Sequence, residues 1–127
     1  MKYRNMVNFV NKAKYKNMSC NVDGHFFHSR FEAAYYGQLK MLKMAGEIKD
    51  FERQVGFELF AWTPNDDFRS GHNRKKVCTH IVDFLVTLND GTKEVHECKG
   101  FATDTWQLKH KLFESNYPEL TYKVIKG

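Results

Sequence analysis

Residues 77–99 read VCTHIVDFLVTLNDGTKEVHECK, and the centre of that stretch governs the reading of everything around it. Asn89-Asp90-Gly91 is a strong turn signal between two runs rich in β-branched and apolar residues, so residues 77–88 and 92–99 are expected to form a hairpin. With a three-residue loop, Leu88 pairs with Thr92, and stepping back along both strands sets Asp83 opposite Glu97. Directly opposed residues on adjacent strands hold their Cβ atoms about 4.5–5.5 Å apart on one side of the sheet. Lys99 lies two residues beyond Glu97, and the period of two puts its ammonium on the same side.

Strict alternation gives that side Ile81, Leu85 and Val95 as well, so two like charges emerge among apolar neighbours, where unpaired charge is costly. A compensating charge is expected. It is either Lys99 itself, in an ordinary ion-pair trio, or a divalent cation such as Mg²⁺, which takes oxygen ligands from one or two carboxylates and accepts phosphate oxygens. The opposite side receives Cys78, His80, Val82, Phe84, Val86, His96 and Cys98. Both sides are partly apolar, which implies a sheet covered by helices on each face. Cys78-x-His80 and His96-x-Cys98 come near one another in this register and imitate a zinc site, although their spacing departs from the usual knuckle patterns. His25 and His28 lack convincing partners.

Upstream, Asp23-Gly24 suits a tight hairpin turn between residues 19–22 and 25–28. A helix is expected over residues 29–45, where Phe31, Tyr35, Leu39 and Leu42 form an apolar stripe and Gly46 supplies the stop. Ser29-Arg30-Phe31-Glu32 has the form of a capping box, which gives Glu32 a structural role at the helix start. Residues 48–51 and 57–62 read as two short strands. Residues 63–76 contain Pro64, Asn65, Asp66, Asp67, Ser70, Gly71 and Asn73, and read as a long loop ending in the basic cluster Arg74-Lys75-Lys76. Downstream of Gly100, Thr103 or Asp104 caps a helix reaching about residue 116. Pro118 marks its exit and residues 121–125 form a last strand. A strand, helix, strand succession implies a right-handed crossover into a parallel position.

The chain has 127 residues, which suffices for one hydrophobic core and hardly for two. We therefore expect a single domain over residues 18–127, preceded by a basic arm at 1–17 whose Lys2, Arg4, Lys12, Lys14 and Lys16 all come before the first acid, Asp23. The net charge of +5 makes a polyanionic partner plausible, a solvated basic face being the plainer alternative. Three cysteines without CxxC spacing argue against a disulfide scaffold and for a reducing cytoplasm. No apolar run reaches the length needed to span a bilayer, and the N-terminus lacks the apolar block of a secretion signal, so no membrane partner is expected.

Asp83, Glu97-Cys98-Lys99, the helical Glu32 and the order helix, three strands, helix, strand together resemble the PD-(D/E)XK nuclease superfamily. The resemblance sharpens at Lys14-Tyr15-Lys16-Asn17, Val22-Asp23-Gly24, residues 29–42 with Glu32, Ala45-Gly46-Glu47-Ile48, Val82-Asp83-Phe84, Lys99-Gly100-Phe101 and Lys111-Leu112-Phe113-Glu114, which look like a small phage-associated branch. It runs from about Lys14 to the C-terminus, with Val82 standing where the superfamily's name has Pro.

The resemblance implies an α/β, restriction-endonuclease-like αβββαβ core with a mixed sheet flanked by helices. It also implies a Mg²⁺- or Mn²⁺-dependent DNA endonuclease, working in the cytoplasm, the host's if the chain is phage-encoded. Asp83 and Glu97 would ligate the metal, with the backbone carbonyl of Cys98 as a third oxygen. Lys99 would hold or help deprotonate the attacking water, Glu32 would complete the site from the first helix, and Gln54 resembles a recurrent polar position nearby. Charge and loop placement nominate Arg69, Arg74, Lys75, Lys76, Lys109 and Lys111 for contacts to phosphate. A homodimer would set two sites on opposite strands, although the sequence marks no interface. The alternative is a non-catalytic DNA-binding module that keeps the fold.

Overall fold

The computed structural model describes residues 18–62 and 74–126. The basic arm at 1–17 and residues 63–73, most of the expected long loop and Arg69 with it, lie outside these residues. Two short strands open the described chain, β1 (Cys20–Val22) and β2 (His25–Phe27), paired antiparallel. Their turn places Asp23 at φ 54° and Gly24 at φ 79°, the left-handed pair that a two-residue hairpin loop requires. Helix α1 follows (Arg30–Met44), then β3 (Asp50–Trp62), β4 (Arg74–Thr87), β5 (Lys93–Cys98), helix α2 (Asp104–Asn116) and β6 (Thr121–Ile125). The larger sheet has the order β3-β4-β5-β6, antiparallel except for the parallel pair β5 and β6. It is a mixed sheet with a helix on each side, and among the described residues no helix is long and apolar enough to cross a membrane.

Each helix covers its own apolar cluster. On one side Ala33, Tyr36 and Leu39 of α1 pack with Phe27, Ile48, Phe84 and Val86, and Tyr35 and Phe51 lie against them. On the other side Phe113 and Leu112 of α2 pack with Leu59, Val82, Leu85, Val95 and Tyr122. The buried line of α1 runs through Glu32, Ala33, Tyr36 and Leu39. Leu42, expected in the stripe, is instead 39% exposed, beyond the last buried residue of that line.

Two expectations about β3 and β4 need correction. The two short strands at 48–51 and 57–62 are one strand, Asp50–Trp62, paired with β4 except at Gln54 and with a register shift between Leu59 and Phe60. Gly56, which reads as an interruption, pairs with Ile81 through its backbone and needs no apolar side chain, and Gln54 is the one position of the strand skipped between the pairs Arg53↔Phe84 and Val55↔Val82. Arg74, Lys75 and Lys76 do not end a loop. They start β4, opposite Trp62, Ala61 and Phe60.

The alternation of the two strands also reverses part-way along. Phe84 and Val86 of β4, with Phe51 of β3, face α1. Cys78 and Val82 of β4, with Val55, Phe57 and Leu59 of β3, face α2. A regular strand would send Val82 and Phe84 the same way. The reversal falls between the pairs Arg53↔Phe84 and Val55↔Val82, where Gln54 meets Asp83 and Gln54 has φ 52°. A left-handed residue swings the chain about its own axis, so alternation resumes with the opposite phase. Val82, His80 and Cys78 therefore stand on the α2 side and not the side expected of them, and Ile81 is 57% exposed.

Candidate active site

The central hairpin has the register read from its turn. Leu88 N–H donates to Thr92 O at 2.8 Å and Gly91 N–H to Leu88 O at 2.9 Å, with Gly91 at φ 91°. Asp90 Oδ1 accepts from the Thr92 N–H at 2.9 Å and from its hydroxyl at 2.7 Å, locking the loop. Leu85 pairs with Val95 and Phe84 with His96, the last rung of the ladder, and just beyond it the carboxyls of Asp83 and Glu97 come within hydrogen-bond reach of each other. There the Asp83 carboxylate takes the place of a backbone partner, since Cys98 N–H donates to its Oδ2 at 2.8 Å.

Glu97 lies on the α2 side and is 4% exposed. Its Oε2 accepts the Tyr122 hydroxyl at 2.6 Å, and His80 Nε2 lies 2.8 Å from the same hydroxyl and 3.6 Å from Oε2. Burial, then the charge of Asp83, push the Glu97 carboxyl up to about 7, against the Tyr122 hydrogen bond and the Lys99 charge. Burial likewise lowers His80 to about 4, helped by the charges of Lys109 and Lys99, so the imidazole is neutral at physiological pH. The Tyr122 phenol is pushed up by burial and by Glu97. The Cys98 thiol is pushed up by burial and by Asp83, which leaves it inert as a nucleophile.

Glu32 reaches the same region from the α1 side. Ser29 caps the helix by accepting the Glu32 N–H at 3.1 Å, which is one half of the capping box. The Glu32 side chain does not complete the other half. It turns into the protein, where Gln54 Nε2 donates to its Oε1 at 3.1 Å and the Arg53 guanidinium lies 3.9 Å away. Its carboxyl is held above the ordinary value by burial first and then by Asp83, with Arg53 acting in the opposite direction. Asp83 thus sits at the strand reversal with its charge felt by Glu32 on one side and Glu97 on the other.

Lys99 makes no ion pair with either acid among the described residues. Its Nζ lies 5.2 Å above the Trp106 ring, and its charge still lowers the Glu97 carboxyl through space. The ordinary ion-pair trio is therefore not what these residues form. The zinc alternative fails as well. The reversal separates Cys78 and His80 from His96 and Cys98, which remain on the α1 side, and among the described residues no three His, Cys, Asp or Glu side chains form a metal cage. All three cysteines are free.

A family profile described as "Protein of unknown function (DUF1064)" matches residues 12–127, which take in every strand and helix above. The chain belongs to the DUF1064 family. No curated protein and no solved structure matches it.

In this DUF1064 chain the basic residues nominated for phosphate contact fall into two groups. Arg74, Lys75 and Lys76 are exposed at the end of the β3 and β4 ribbon where Trp62 pairs with Arg74, with the Arg74 guanidinium 4.3 Å over the Phe60 ring and Lys76 Nζ 3.6 Å from Glu58. Lys109 and Lys111 are on α2, and Lys109 is close enough to the site to affect His80. Two site residues escaped the sequence reading. His80 was assigned to the wrong face because the reversal at Asp83 has no signal in an apolar pattern. Tyr122 reaches Glu97 only through the parallel register that pairs Val95 with Tyr122 and Glu97 with Val124. A lone Tyr in a short strand carries no hint of that register.

Proposed function

We propose that this chain is a metal-dependent DNA endonuclease with the restriction-endonuclease-like αβββαβ core of the PD-(D/E)XK superfamily. The observation that carries the reading is the approach of Asp83 and Glu97 to within hydrogen-bond reach of each other just past the last rung of the hairpin, in partly buried surroundings with no lysine or arginine in contact among the described residues. A buried carboxylate pair without a counter-ion is unfavourable on its own and favourable around a cation. The element order α1-β3-β4-β5-α2-β6 supports the same fold reading.

The donor chemistry fits Mg²⁺ or Mn²⁺. Asp83 Oδ2 accepts the Cys98 N–H and Glu97 Oε2 the Tyr122 O–H, and the two carboxyls lie within hydrogen-bond reach of each other, so a cation would take the place of a proton shared between them. Two carboxylates are the number that Mg²⁺ commonly takes from protein, the rest of its shell being water and phosphate oxygen, so a ready-made cage of three side chains is not required. The Cys98 carbonyl would add a third oxygen. When bound, the cation supplies Lewis acidity at the scissile phosphate and lowers the pKa of water beside it.

The chain's own groups have distinct tasks. Cys98 N–H and Tyr122 O–H each fix one oxygen of an acid, so the acids meet the ion already oriented. Lys99, stacked on Trp106 and unpaired with either acid, offsets charge that builds on phosphate and holds the attacking water. Glu32, tied to Gln54, approaches from the α1 side as an outer acid. Arg74, Lys75, Lys76, Lys109 and Lys111 would grip the phosphate backbone, which carries no sequence information.

Incubating the purified protein with supercoiled, linear and branched DNA tests the proposal. Cutting is expected in Mg²⁺ and none in a chelator, and Asp83→Ala and Lys99→Ala should lose it. The proposal fails if no substrate is cut or if both variants cut like the parent. DNA binding without metal-dependent cutting would favour a non-catalytic binding module.

A further inference from the structure

Across the α2 side of the sheet, three polar groups from three strands form a line: His80 on β4, Glu97 on β5 and Tyr122 on β6. His80 and Glu97 are each 4% exposed, in a wall otherwise made of Phe113, Val95, Trp106 and His110. Burying such a line costs free energy that a Leu and a Phe would not cost, unless the groups act on one another. Their proton inventory sets the direction. A Glu97 that ligates a cation is ionised and can only accept, so the Tyr122 hydroxyl spends its one proton on Oε2 at 2.6 Å. The 2.8 Å contact between that hydroxyl and His80 Nε2 must then be donated by an Nε2–H. The Tyr122 ring cannot swing away, being packed against His110 at 4.3 Å, Phe113 at 5.1 Å and Trp106 at 6.3 Å between ring centres.

We propose that His80 and Tyr122 are positioning residues: a directed chain from His80 through Tyr122 pins Glu97 Oε2 and turns Oε1 toward the divalent cation. This rests on the metal-dependent reading above. Groups that hydrogen-bond a metal's ligands commonly change affinity by about 10- to 100-fold when removed, without touching the ion.

The test is Mn²⁺ titration of the full chain by calorimetry, beside DNA cleavage. Tyr122→Phe keeps the ring and loses only the hydroxyl, and should weaken Mn²⁺ binding by about 10- to 100-fold. It should lower kcat with KM for DNA unchanged. His80→Leu should weaken Mn²⁺ binding in the same direction, and His80→Gln, whose amide can still donate to Tyr122, should restore most of it. Nitrogen-15 NMR of His80 in metal-free protein at pH 8.5 should show the proton on Nε2. Parent-like Mn²⁺ affinity in Tyr122→Phe and His80→Leu, or a proton on Nδ1 alone, overturns the positioning role while leaving the nuclease reading intact. Failure of the parent itself to bind Mn²⁺ overturns the metal reading, and this role with it.

Discussion

The sheet carries a Tyr, His and Glu set on each of its faces, and the two end differently. On the α1 side Tyr35 lies 2.7 Å from His96 Nδ1, and His96 Nε2 lies 3.0 Å from Glu94 Oε1. That set closes on Lys123, whose ammonium is 3.2 Å from the same carboxylate oxygen. On the α2 side His80 and Tyr122 lead to Glu97, which has Asp83 for a neighbour and no cation in contact among the described residues. The electrostatic outcomes are opposite. Burial works against the ionised form of Glu94, but His96 and Lys123 outweigh it and hold that carboxyl below its ordinary value. Burial and Asp83 push Glu97 up to about 7. Similar residue types thus give one acid that is already balanced and one that awaits a positive charge, and only the second has the form of a site.

Function should break the symmetry most sharply. Glu97→Ala is expected to reduce Mg²⁺-dependent cleavage by about 10³-fold, a loss in the range seen when one group of a catalytic set is removed. Glu94→Ala should cleave within a small factor of the parent. Rates on supercoiled plasmid under single-turnover conditions decide the matter, and equal losses would end the distinction. Next in size is the reversal that assigns residues to the two faces. Gln54→Val places a β-branched residue at φ 52° and should cost about 2 kcal/mol, read from urea unfolding. An unchanged midpoint would mean that the left-handed residue is dispensable.

Stability offers a subtler contrast. In metal-free protein Glu97→Gln removes a buried charge that faces another acid, so Tm should rise by a few degrees, about 4 °C if the gain is 1 kcal/mol. The stabilisation that Mg²⁺ gives the parent should disappear in the same variant. Glu94→Gln should instead lower Tm, and a thermal scan of both variants tests the opposite signs. The smallest effect is on acid stability. Because Glu94 has a folded pKa below its unfolded value near 4.5, its contribution is complete above that value and fades as pH falls through the folded pKa. Glu94→Gln should flatten this part of the stability profile, as measured by melting between about pH 5 and pH 3.

How much of this could be read beforehand depended on how local the determinant was. The Asn89-Asp90-Gly91 turn fixes its own register through residues that touch it, so the facing of Asp83 and Glu97 followed from counting. Ser29 as a helix cap, Thr103 as one of two cap candidates and Asp23-Gly24 as a turn were legible for the same reason, while the parallel placement of β6 followed from the handedness of a strand, helix, strand crossover. The reversal at Gln54 and Asp83 was not, because a backbone angle of 52° at a polar residue leaves the apolar pattern almost unchanged. With it went the sides taken by His80, Val82 and Cys78. Glu32 supported two readings in the sequence, and what the sequence could not show is that its side chain turns to Gln54, a contact across 22 positions, and leaves the second half of the capping box unmade.

The tight turn at residues 89–91 also has a kinetic side. A hairpin that zips outward from Leu88 and Thr92 forms the rungs Leu85 with Val95 and Phe84 with His96 before it reaches Asp83 and Glu97. Nucleation is thereby spared the mutual repulsion of the acids, which is met only once apolar pairs hold the strands. Relieving that repulsion is then expected to slow unfolding and to leave the folding rate nearly untouched. An acidic pair placed at the far end of a zipper weakens the finished protein without obstructing its assembly.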